Sequence, residues 1–202
     1  HAGYIKRVPL STYRTQRRGG KGRAGMSTRE EDFVAQVSVV NTHTPLLFFS
    51  SRGKVYKLKT YRLPLGTPQA RGRPMVHLLP LAEGETIATI LPLPEDESTW
   101  ADLVAVFATA EGLVRPISLS KFDNILSTGI IAIKLKEGDR LVGVTLAADD
   151  DDILLVARGG KCIRFAMQGV RLMGGRSTAG VRGMALKSGD EVISMSVLHH
   201  LE

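Results

Sequence analysis

With 202 residues, the chain is long enough to bury one good-sized core or two small ones. Its basic excess is concentrated: residues 1–75 hold 15 Lys and Arg against 3 Asp and Glu, while residues 76–202 hold 12 against 17. The N-terminal part is therefore a candidate polyanion-binding surface, and a membrane is set aside as that polyanion because no apolar run is long enough to span one and no basic amphipathic helix is offered to lipid.

The chain opens on His1-Ala2-Gly3-Tyr4, as a piece cut from a longer chain would, with no leader visible. No acidic residue occurs from His1 to Arg29. Inside that stretch lies Gln16-Arg17-Arg18-Gly19-Gly20-Lys21-Gly22, with Arg23 directly after it. Glycine lets a backbone approach a partner closely, and Arg and Lys supply charge and donors matched to phosphate oxygens. The alternative is a solvated basic loop, and the charge asymmetry counts against it. Two nucleotide motifs can be dismissed here. Gly20, Gly22 and Gly25 spell G-x-G-x-x-G, yet the residues before them are polar and basic, and Asn41 and Thr42 stand where a ribose-binding acid should be. Gly20-Lys21 is not a phosphate-binding P-loop, since Gly22 occupies the Ser/Thr position.

Internal repeats then set the architecture. Gly3, Gly53, Gly112 and Gly160 are each followed by a five-residue segment with apolar second and fifth places, such as Lys54-Val55-Tyr56-Lys57-Leu58. Apolar runs precede the last three, among them Leu46-Leu47-Phe48-Phe49 and Leu103-Val104-Ala105-Val106-Phe107. Apolar runs flanking a glycine turn predict a β-hairpin. A second glycine recurs 17 to 20 residues later, at Gly22, Gly72, Gly129 and Gly180. Acidic turns follow at Glu30-Glu31-Asp32, Glu83-Gly84-Glu85, Glu137-Gly138-Asp139 and Ser188-Gly189-Asp190. Each leads into one more strand, beginning at Phe33-Val34, Ile87, Leu141-Val142 or Val192-Ile193. The expectation is an all-β protein of propeller-like, four-stranded blades with no helix beyond a short turn. One domain spans 1–202, with repeats near 1–42, 43–94, 95–147 and 148–200.

Other features receive structural readings. Cys162, the single cysteine, rules out an internal disulfide, suits a reducing cytoplasm and is expected to be buried. Trp100 is expected to cap a blade edge, and Asp149-Asp150-Asp151-Asp152 to be a solvated turn. His43 and His77 fall in separate repeats. No metal spacing, paired-acid motif or nucleophile constellation is evident, so no catalytic or metal-binding residue is assigned. Few aromatics argue against stacking on single strands.

The heptad Gln16–Gly22, with Glu30-Glu31-Asp32-Phe33, Asn41-Thr42-His43, Phe49-Ser50-Ser51-Arg52-Gly53, Ala70-Arg71-Gly72-Arg73-Pro74 and Gly180-Val181-Arg182-Gly183, resembles the C-terminal domain family of the DNA gyrase A subunit over essentially the whole chain. The resemblance implies a β-pinwheel, a propeller relative whose blades exchange strands. It implies a non-catalytic, DNA-binding domain that wraps duplex DNA on a basic rim and presents a segment for ATP-driven strand passage and negative supercoiling. The DNA-contact set is Gln16, Arg17, Arg18, Gly19, Gly20, Lys21, Gly22, Arg23, Arg52, Lys54, Lys57, Arg71 and Arg73. The implied partners are double-stranded DNA, the gyrase A N-terminal region and gyrase B in an A2B2 complex, in a bacterial cytoplasm. The isolated domain is expected to be monomeric. ATP and magnesium belong to the parent enzyme, and no cofactor is expected in this chain. The cleavage tyrosine of the family lies in another region, so Tyr4, Tyr13, Tyr56 and Tyr61 are not nucleophiles, and Tyr13 is expected to pack beneath the heptad. The family disc has six units and this chain shows four, the first lacking a strand before Gly3. The matching domain of topoisomerase IV is the nearest alternative, though its heptad is degraded; a propeller-like protein-interaction module would leave the basic N-terminal part unexplained.

Overall fold

The computed structural model describes residues 3–12, 36–173 and 180–199. The heptad Gln16–Gly22, Arg23, Tyr13 and the expected first-copy strand at Phe33-Val34 lie outside the described residues. Three hairpins form as the apolar-run, glycine-turn pattern requires: β2 (Pro45–Ser50) with β3 (Lys54–Lys59), β6 (Val104–Thr109) with β7 (Leu113–Ser118), and β10 (Asp152–Ala157) with β11 (Cys162–Ala166). Their turn glycines Gly53, Gly112 and Gly160 have φ of 81°, 87° and 90°, which side-chain-bearing residues avoid. On the other side of each first strand lies the strand that follows the acidic turn: β5 (Ile87–Pro92), β9 (Leu141–Ala147) and β13 (Val192–Leu198).

Each first strand carries a register shift three residues before its glycine, at Phe49/Ser50, Ala108/Thr109 and Val156/Ala157. At each shift the extra residue sits in the opposing last strand, as Ala88, Val142 and Ile193, and bends that strand near its start. Two of the shifts bury a hydroxyl: Ser50 Oγ accepts from the Lys54 N–H, and Thr109 Oγ1 from the Leu113 N–H at 3.2 Å.

The second glycine begins a strand given to the preceding repeat. β8 (Ile130–Ile131) pairs with β3, and β12 (Val181–Arg182) with β7. β4 (Arg73–Pro74) pairs in the same way with β1 (Tyr4–Ile5). Two four-stranded antiparallel sheets result, ordered β5-β2-β3-β8 and β12-β7-β6-β9, beside a three-stranded sheet β11-β10-β13. Further bonds lock neighbours together: Leu141 N–H donates to Ser51 O at 3.0 Å and Val192 N–H to Ala110 O at 2.8 Å, joining each last strand to the preceding hairpin turn. This is the strand-exchanging arrangement that the resemblance implied.

The core is laminated between the sheets, which is why the first strands read as continuous apolar runs. Leu46 and Phe48 of β2 pack with Tyr56, Leu63 and Leu79, whereas Leu47 and Phe49 pack with Phe107, Phe122 and Ile133. β6 divides likewise, Ala105 and Phe107 facing β2 while Val104, Val106 and Ala108 join Ile153, Leu155 and Met184. Phe49 meets Phe107 edge-on, with centroids 5.2 Å apart.

Three expectations need correction. A two-turn helix, α1 (Met167–Met173), stands where the other repeats have short 3₁₀ turns at Thr60–Arg62 and Leu119–Phe122. It buries Met167 and Val170, one turn apart. Cys162 is exposed, because β11 alternates and turns Ile163 and Phe165 inward instead. The acidic run is only partly solvated. Asp151 is buried, accepting from the Ala148 N–H at 2.8 Å and bonded to His199 Nδ1 at 2.7 Å, while Asp152 pairs with Arg164. Trp100 is buried, as a cap should be, and its indole N–H donates to Pro94 O at 3.0 Å.

Candidate nucleic-acid interface

Five of the expected DNA-contacting residues fall among those described, and the structure gathers four of them into two neighbourhoods. Arg52 projects from the β2–β3 turn, and Lys54 opens β3 beside it. With Lys134 of the third repeat they line a groove of about 290 Å³, shared with Glu85, Ile131, Ile133 and Leu135. Arg52 Nη2 donates to Glu83 O, so the guanidinium leans over the acidic turn while remaining exposed. Three cations and a single carboxylate therefore line the same groove.

That carboxylate organises the groove wall. Glu85 is buried and accepts from the Ala82 N–H at 2.9 Å and the Tyr56 hydroxyl at 3.0 Å. Burial alone would raise the Glu85 carboxyl, but hydrogen bonds from Ser50, Ala82 and Tyr56, with the charge of Lys54, hold it below the ordinary glutamate value. Tyr56 is pushed up to about 12, by burial first and then by Glu85. The wall thus keeps its negative charge and its hydroxyl proton at neutral pH.

The second neighbourhood surrounds Gly72, whose φ is 86°. Arg71 and Arg73 flank it, both exposed. Arg73 pairs in register with Ile5, and the Arg71 guanidinium lies 5.8 Å from the centre of the Tyr4 ring, within cation–π range. A Cβ at Gly72 would meet the Ile5 carbonyl, so the glycine allows the two arginines to sit against the preceding repeat.

Lys57 stands apart from both groups. Strand alternation sets it on the opposite face of β3 from Lys54, and its ammonium donates to Asp123 O at 3.1 Å. Arg7, four places after Gly3 as Lys57 is after Gly53, likewise donates through Nε to Leu63 O at 2.9 Å. Both cations reach the carbonyl that ends the next repeat's 3₁₀ turn, a bond between repeats. Lys134, missed in the sequence, was visible only as one polar place in Ile133-Lys134-Leu135-Lys136; its role depends on a groove formed by residues about 80 positions apart in sequence.

His43 packs edge-on to Tyr61, with centroids 5.8 Å apart, and His77 is exposed. Among the described residues, no three His, Cys, Asp or Glu side chains converge as a metal site would require, and no helix is long and apolar enough to cross a membrane.

The family model described as the DNA gyrase C-terminal domain, a β-propeller, matches residues 1–41, 44–94, 105–148 and 151–199. The chain is 54% identical over 196 residues to the DNA gyrase A subunit of Rickettsia prowazekii, covering 97% of this chain and 22% of that protein. The chain thus spans about a fifth of the length of such relatives. Among solved structures, that of a DNA gyrase A C-terminal domain superposes with a TM-score of 0.66 at 27% identity, over 96% of this chain and 61% of the other. That of a topoisomerase IV C-terminal domain superposes with a TM-score of 0.78 at 24% identity, over 98% and 59%.

Proposed function

The chain belongs to the DNA gyrase C-terminal domain family, and we propose that it is the part of the gyrase A polypeptide that binds duplex DNA through phosphates, bends it, and wraps it along the basic edge. In this reading the wrapped segment is presented for strand passage, so that ATP-driven cycling of the parent A2B2 enzyme in the bacterial cytoplasm introduces negative supercoils. Cleavage and ATP hydrolysis lie in other regions, and this chain takes no cofactor. The carrying observation is that family membership coincides with two cation groups at the junctions of exchanged strands: Arg52 and Lys54 with Lys134, and Arg71 with Arg73. Cations on rigid strand ends and tight turns suit sequence-independent phosphate contact, which positions a duplex without reading its bases. The heptad Gln16–Gly22 holds three cations in seven residues and is proposed as a further phosphate contact. The topoisomerase IV alternative rests on likeness of fold, while the 54% identity to a gyrase A polypeptide and the complete heptad favour gyrase.

A salt titration on two unrelated duplexes tests the proposal. The logarithm of affinity should fall by about 0.9 per log unit of salt for each phosphate neutralised, and nearly equally on both duplexes. A flat salt response, or a strong preference for one duplex, would sink it.

A further inference from the structure

Lys6 lies between β1 and the bridge that joins Arg7 to Leu65, and its side chain runs into the second repeat. Its ammonium donates to Thr67 O at 2.7 Å, Pro68 O at 2.8 Å and Ala70 O at 2.7 Å. An ammonium has three N–H donors. All three are used inside the protein, so none remains for a phosphate. Its stem lines the same turn, with Lys6 Cβ 3.1 Å from where a Cβ on Gly72 would lie and Cδ 3.4 Å from one on Gly66. Burial lowers the ammonium from the usual lysine value.

The carbonyls it gathers belong to the turn that delivers Arg71 and Arg73. Ala70 N–H closes that turn onto Thr67 O at 3.1 Å, and the chain then passes through Gly72 into β4 against β1. Left unheld, a turn bounded by Gly66 and Gly72 would have to be ordered at each binding event, which costs affinity. A bent duplex also requires its phosphate donors at fixed spacing.

We propose that Lys6 is a positioning residue for duplex DNA: from the first repeat it fixes the Thr67–Ala70 turn of the second, so that Arg71 and Arg73 meet phosphates together, without touching the DNA itself. This rests on the DNA-binding reading above. The test is a double-mutant cycle on the 202-residue chain, combining Lys6→Met with Arg71→Ala/Arg73→Ala and reading affinity for a linear duplex across salt concentrations. In the unsubstituted background Lys6→Met should weaken binding about tenfold, the scale of one lost ionic contact, and lower the salt slope as the arginine pair does. In the Arg71→Ala/Arg73→Ala background it should weaken binding by less than about twofold, because coupled residues are not additive.

An equal loss in both backgrounds, as a direct phosphate contact or a general structural role would give, overturns the proposal; so does no loss in the unsubstituted one. Lys6→Gln, neutral but with two N–H donors, is read in the same cycle should Lys6→Met fail to fold by circular dichroism. If neither variant folds, Lys6 is a residue of the fold alone and the proposal is wrong. Absence of salt-dependent binding by the unsubstituted chain is a different failure: it removes the DNA-binding reading first, and this inference with it.

Discussion

Glu85 illustrates how a single residue's environment redirects what its type suggests. In sequence it is one acid in a recurring turn. In the structure it is a buried anion held by the Ala82 N–H and the Tyr56 hydroxyl, beneath Arg52 and Lys54. Its folded pKa lies below the ordinary 4.5, so the stability it contributes is complete above that ordinary value and lost as the pH falls through the folded one. Glu85→Gln should therefore flatten the acid limb of a urea-midpoint-against-pH curve below about pH 4.5. An unchanged limb would show that Glu85 is not the titrating group. Tyr56→Phe should cost about 1.5–3 kcal/mol at pH 7, the range for a hydrogen bond to a charged group, with the midpoint in urea as the measure. Neither role is legible in the sequence, since burial and donors come from three separate segments. Cys162 shows the converse: its strand is legible, but which face of β11 looks inward depends on what packs beside it.

At the scale of elements, the repeated glycines are legible because φ is a local constraint; what they face is not. Gly138 and Gly180 have φ of 80° and 87°. A Cβ on Gly138 would meet nothing within 4 Å, whereas one on Gly180 would lie 2.7 Å from Val114 O, at the seam where β12 joins the preceding sheet. Gly138→Ala should cost about 1–2 kcal/mol, the strain of a left-handed conformation. Gly180→Ala should cost about 2–5 kcal/mol, because backbone overpacking adds to that strain. Equal shifts in denaturant midpoint would mean that the exchanged strand is not tightly held. α1 is illegible for a plain reason: seven residues fall short of the length at which a helical period becomes readable, and Met167 and Val170 acquire their buried face from a core shared with several strands.

For the whole molecule, the proposed function separates holding DNA from bending it. Bending a duplex by 40–90° over a short site costs roughly 1–6 kcal/mol, so it must be held at several points. Replacing Arg17, Arg18 and Lys21 with Ala should reduce bending more than affinity, because Arg52, Lys54, Arg71 and Arg73 remain on the second repeat. End-to-end energy transfer on a linear duplex reports the bend, and linking-number change on ligated nicked circles reports the wrap. A triple variant that binds less tightly yet bends DNA fully at saturation would make the heptad an ordinary phosphate contact. If the unsubstituted chain binds without bending, four repeats are too few to hold the curve.

What the sequence determined by itself was whatever is encoded over a few neighbouring residues or repeated along the chain. Glycine turns, apolar runs and acidic turns recur at one spacing, so all-β repeats followed directly, and the heptad with its companion motifs identified the family. The tertiary structure decided which repeat each strand completes and which backbone carbonyls each cation meets. Lys57 and Lys6 look, as letters, like Arg52 and Arg71. Lys57 donates one bond to the carbonyl of Asp123 in the next repeat, whereas the Lys6 ammonium gives all three to Thr67, Pro68 and Ala70. Whether a charge binds a polyanion or its own backbone depends on which acceptors come within about 3 Å of it, and here those acceptors lie more than 60 residues away along the chain.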